Sequence, residues 1–113
     1  MAQRIGRGGT DPTLSQVSVS TSAPGRCEVR GALTFASARR AFDSGVKALS
    51  GSNQAAIEID CGGVRSADSA GLAVLLAWLA WAHQHGRQLK FTRLPEAILA
   101  VARISDVDAL LSA

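Results

Sequence analysis

The chain of 113 residues is poor in the groups that usually announce a chemistry. It has two cysteines, Cys27 and Cys61, far apart and each in a strand-like segment. That spacing gives neither a disulfide framework nor a zinc site, so both read as small buried apolar side chains in a reducing compartment. Aromatic residues make up 4% of the chain, and none interleaves with the basic residues as a stacking platform would. The formal net charge of +3 is scattered along the sequence, which describes a solvated surface better than a nucleic-acid-binding face. At most it adds a mild attraction for anionic lipid headgroups. The longest apolar run, Ala70 to Ala82, falls short of the ~20 residues that cross a bilayer. No apolar stretch follows the N-terminal arginines, so no signal peptide is read there and the expected location is cytoplasmic.

Catalytic groups are equally sparse. His83 and His85 stand two positions apart and point to different sides of a helix, so they are not a metal pair. Ser69 has Ala67, not glycine, two residues before it, and the nucleophile-elbow pattern is absent. A histidine base would lie at the far end of the same helix, over ~20 Å away by helical rise. Gly8-Gly9 and Gly62-Gly63 match no phosphate-binding loop. These readings leave no catalytic constellation, no metal site and no cofactor, and the chain is expected not to be an enzyme.

What is present is a clear succession of elements. Residues Met1 to Thr13, rich in Gly, Arg, Thr and Pro, are expected to be a flexible tail, with one domain over residues 14–113. Val17 and Val19 alternate with serines as in a strand with one wet face, and Ala23-Pro24-Gly25 turns the chain into a second strand through Cys27 and Val29. After Leu33-Thr34-Phe35 a helix places Ala38, Ala41, Phe42 and Leu49 on one face and stops at Ser50-Gly51-Ser52-Asn53. A third strand with Ala55, Ile57 and Ile59 ends in a glycine turn at Gly62-Gly63. The main helix runs from about Ala70 to His85, and Gly86 ends it. A fourth strand with Leu89 and Phe91 follows, then a helix from Pro95 and a last short one within Asp106 to Leu111. The order β-β-α-β-α-β-α-α predicts an α/β sandwich, a mixed sheet of about four strands with helices packed on it.

The main helix has two apolar sides. At about 100° per residue, Leu72, Leu75, Leu76 and Leu79 share the side that the sheet needs. Val74, Trp78 and Trp81 lie nearly opposite, where a helix on the outside of a small sandwich should be polar. A neighbouring helix or a terminal segment would account for this second face, as would a partner protein. The balance tips narrowly to a partner, because exposed aromatic patches mark interaction sites and tryptophan is enriched at hot spots.

Asp68-Ser69 opens that helix, next to unpaired backbone N–H groups and the positive end of the helix dipole. Capping is the commonest task of such residues there. An anion or a phosphoserine would also suit the position.

Together with the order of elements, Ile59-Asp60, Val64 and Asp68-Ser69-Ala70-Gly71-Leu72 resemble the STAS domain family over roughly Leu14 to Leu111. In the bacterial anti-sigma-factor antagonists of this family, the serine or threonine after the aspartate is phosphorylated by a partner kinase, which by position is Ser69. The stretch Asp68 to Leu79 and the run Gly86-Arg87-Gln88-Leu89-Lys90-Phe91-Thr92-Arg93-Leu94-Pro95 are more similar to another branch. Those are the STAS subunits of bacterial ABC transporters that maintain outer-membrane lipid asymmetry. This resemblance implies a non-catalytic cytoplasmic subunit, peripheral to the inner membrane through its partner, that binds and supports the transporter's ATPase. Thr34, Asp68, Ser69 and Ala70, with Val74, Trp78 and Trp81 on the helix, are the implied contacts. Where many antagonists have Gly-x-Leu-Asp after the second strand, this chain has Gly31-Ala32-Leu33-Thr34, a departure from the antagonist branch.

Overall fold

The computed structural model describes residues 17–111. The tail expected for residues 1–13 lies outside the described residues. Strands β1 (Val17–Ala23) and β2 (Arg26–Leu33) form an antiparallel hairpin. Its turn needs Gly25, whose φ of +74° lies in the left-handed region where a Cβ is costly. Helix α1 (Ala38–Ser50) leads to β3 (Ala56–Ala67), and α2 (Ser69–Gln84) leads to β4 (Gln88–Thr92). Helices α3 (Glu96–Ile104) and α4 (Asp108–Leu111) close the chain. The strands lie in the order β1-β2-β3-β4, with β2, β3 and β4 mutually parallel. This is the expected α/β arrangement, in the expected order of elements.

The two helical crossovers run the same way across the sheet, so their shared right hand puts α1 and α2 on one face. Burial along the strands agrees. Cys27, Val29, Leu33, Ile57, Ile59, Cys61 and Phe91 are buried in the core, while Arg26, Glu28, Arg30, Glu58 and Lys90 occupy the alternate positions.

Two expectations need correction. The glycine pair does not end β3: the strand runs on to Ala67, and its pairing with β2 shifts register first across Glu28/Arg30 and again across Gly31/Ala32. The glycines serve to seat arginines. A Cβ on Gly62 would meet Arg93 Cζ at 2.5 Å, and one on Gly63 would meet Arg30 Cγ at 2.7 Å.

The second correction concerns α2. Val74 and Trp78 are not a partner surface; both are buried, Trp78 completely. The tryptophan fits a notch in α1 at Gly45, where a Cβ would collide with its ring, and its Nε1–H donates to the Phe42 carbonyl at 3.3 Å. Helix α2 is thus apolar on two sides because the sheet takes one and α1 the other. Of the leucine face, Leu72 and Leu75 are buried, whereas Leu76 and Leu79 are half-buried. Trp81 is half-buried too, stacked on the exposed His85 with ring centroids 4.0 Å apart and with the Arg87 guanidinium 6.0 Å from its ring. Among the described residues no helix is long and apolar enough to cross a membrane.

Candidate partner-docking site at the start of helix α2

Strand β3 ends at Ala67, paired with Leu33 at the end of β2, and Asp68 follows as the N-cap of α2. The Oδ1 of Asp68 accepts the backbone N–H groups of Ala70 at 2.9 Å and Gly71 at 3.2 Å. These are two of the four donors that a helix start leaves without an internal partner. Its Oδ2 accepts the Phe35 N–H at 3.1 Å, and its own N–H donates to the Leu33 carbonyl at 3.3 Å. One carboxylate therefore caps α2 and pins the loop between β2 and α1. Gly71 makes the close approach possible, since a Cβ there would run into the Leu33 carbonyl oxygen.

The loop is fixed from its other side by Ser37. This buried hydroxyl donates to the Ala32 carbonyl at 2.6 Å and accepts the Thr34 N–H at 3.1 Å, while the Ser37 N–H donates to the Thr34 carbonyl at 3.1 Å. Held in this way, Phe35 turns its ring to solvent and is 83% exposed. Ser69 stands beside this loop as the first residue of α2. It is exposed, and its hydroxyl makes no hydrogen bond among the described residues.

Of the contacts implied by sequence, Thr34, Asp68, Ser69 and Ala70 come together here, with Thr34, Asp68 and Ala70 half-buried. Trp81 does not join them, since it lies twelve positions along α2, about 18 Å by helical rise. Phe35 stands beside them, and the sequence did not single it out. The signal available was a large apolar side chain in a short loop between Thr34 and Ser37, which in a sequence looks like the edge of the core.

The groups around Ser69 are few. His83 is about 21 Å from Ser69 by helical rise, too far to act as its base. The aspartate within β3, Asp60, is fully engaged. It accepts from Arg93 Nε at 2.9 Å and Nη2 at 2.6 Å, from the Gly62 N–H at 2.8 Å and from Arg26 Nη2 at 3.3 Å. The hydrogen bonds from Arg93, then that from Gly62, hold its carboxyl well below the usual carboxylate range. Next to it the Cys61 thiol is pushed up to about 12, by burial first and by the Asp60 charge second, so it carries no reactive thiolate.

The family described as “Mlab, STAS domain” matches residues 18–112. The chain belongs to the MlaB-type STAS domain family. No curated protein matches this STAS domain. STAS domains of this type are in general non-catalytic regulatory or binding modules.

Proposed function

We propose that this STAS domain is a non-catalytic subunit that docks on the ATPase of a phospholipid ABC transporter maintaining outer-membrane lipid asymmetry, and that it supports that ATPase. In this reading it works in the cytoplasm, peripheral to the inner membrane through its partner. The observation that carries the reading is the exposed, unbonded hydroxyl of Ser69 on the first turn of α2. Asp68 has already filled the capping role that would otherwise explain a polar residue there. What supports the lipid-transport context is the MlaB-type match over nearly all of the described residues.

The test is a titration of the purified ATPase subunit with the domain and with Ser69→Glu. The added charge sits near a helix N-terminus, so it should leave the melting temperature unchanged. Its bulk at the contact should weaken ATPase binding at least tenfold and reduce the stimulation of ATP hydrolysis. Unchanged affinity would remove Ser69 from the interface.

The second reading is an anti-sigma-factor antagonist switched by phosphorylation of Ser69. It is favoured by the same free hydroxyl at the positive end of a helix, where a phosphate is electrostatically welcome. Thr34, standing where many antagonists carry an acid, supports it less. Transfer of phosphate to Ser69 by a GHKL-type kinase, with no affinity for the ATPase, would establish this second reading instead.

A further inference from the structure

The chain holds three phenylalanines and two tryptophans. Trp78 and Phe91 are buried, Phe42 and Trp81 are half-buried, and Phe35 alone among them is 83% exposed. Its exposure is not that of a loose loop. The backbone on which it sits is bonded at Thr34, Phe35 and Ser37, so the ring is presented from a fixed platform. Fixing a side chain in advance lowers the ordering cost of binding, which is how a single aromatic becomes an anchor.

At this end of the sheet the cations are less engaged than the carboxylates. Arg39 and Arg40 follow in the first turn of α1, and Arg65 lies in the last part of β3, at the same end of the sheet. Arg40 and Arg65 form no ion pair among the described residues, and Arg39 has only the exposed Asp43, 3.6 Å away. The nearby carboxylate, Asp68, is occupied by three backbone N–H groups. An apolar protrusion is left, with Arg40 and Arg65 at the same end of the sheet and in no ion pair among the described residues.

We infer that Phe35 is the anchor by which the domain docks, and that its partner surface is an apolar socket rimmed by acidic side chains. The inference rests on the reading that the Ser69 end binds the transporter ATPase, and it names the contact that reading lacks. Burial of the ring supplies the affinity, while the arginines raise the association rate and make it sensitive to salt.

The experiment measures binding of the unaltered domain, Phe35→Ala, Arg40→Glu and Ser69→Glu to the purified ATPase subunit at low and high salt. A parallel arm uses vesicles containing phosphatidylglycerol. Phe35→Ala should weaken ATPase binding about thirtyfold or more with an unchanged melting temperature, as the loss of a hot spot does. Arg40→Glu should slow association severalfold at low salt and have little effect at high salt. If Ser69→Glu disrupts binding while Phe35→Ala stays within twofold of the unaltered domain, the anchor is overturned and the docking reading stands. If the unaltered domain has no affinity for the ATPase, both fall. Release from vesicles by Phe35→Ala, with ATPase binding untouched, would make a lipid surface the occupant and also overturn the inference.

Discussion

Trp78 and Phe35 stand in two regions with opposite fates. The tryptophan lies in the seam between α1 and α2, where Gly45 opens a notch for its ring and a backbone carbonyl takes its N–H. The phenylalanine lies on the loop at the carboxyl end of β2, with its backbone bound and its ring free. Hydrophobicity alone does not separate them. What decides is whether another element offers a cavity of the right shape, and for Trp78 that offer comes from a helix 33 positions earlier in the chain. Phe35 and the Ser69 hydroxyl, left without such an offer, lie together at the end of the parallel strands, where loops rather than packed layers meet the solvent.

The contrast is broken most directly in the seam. Trp78→Ala empties a fully buried site and should cost about 3–5 kcal/mol of folding stability, measured by denaturant unfolding. A loss within about 0.5 kcal/mol, the size usual for surface changes, would mean that the ring is not interior.

The second effect belongs to the open face of the sheet, where Asp60 is as fully engaged as Trp78. Its carboxyl titrates below its unfolded value of about 3.9. Its contribution is therefore complete above that value and disappears as the pH falls through the lower, folded value. Asp60→Asn should cost about 2 kcal/mol at neutral pH, in line with charge-assisted hydrogen bonds. It should also flatten the loss of stability below about pH 4. An acid limb identical to that of the unaltered chain would assign that limb to other carboxylates.

The smallest effect sharpens the contrast at the start of α2. Asp68→Ala removes a cap and the tie to Phe35, and should cost about 1–2 kcal/mol. Asp68→Asn keeps one oxygen to cap α2 but turns its NH2 toward the Phe35 N–H, so it should cost less than Asp68→Ala while still losing that tie. Thermal melts of the two variants side by side check the difference, and equal losses would mean that the cap contributes little beside the charge and the tie to Phe35, which both variants remove.

These differences also mark what could be read from the sequence. Alternation in Val17 to Ser20, the turn at Pro24-Gly25 and the helical periods around Ala41 and Leu75 are local signals, and they produced the order of elements. Asp68 was legible as a cap because its partners are two and three residues away. The contacts that were not legible are all distant ones. Asp60 meets Arg93 across 33 residues, and Trp78 meets Phe42 across 36. Gly62 and Gly63 read as a turn because glycine usually marks one, whereas here it clears space for arginine side chains that arrive from neighbouring segments.

The bond from Phe35 to Asp68 has a consequence in time as well as in space. It joins residues 33 positions apart, so in the unfolded chain the two sides of the docking end have no reason to be near each other. The hairpin of β1 and β2 needs only a short turn and can close early. The bond to Asp68 must wait until α1 has crossed over and β3 has zipped to its last residue beside Leu33. A partner gripping Phe35 and Ser69 together, as proposed, would therefore select chains that have finished folding. By binding only those, it would also draw the folding equilibrium towards them.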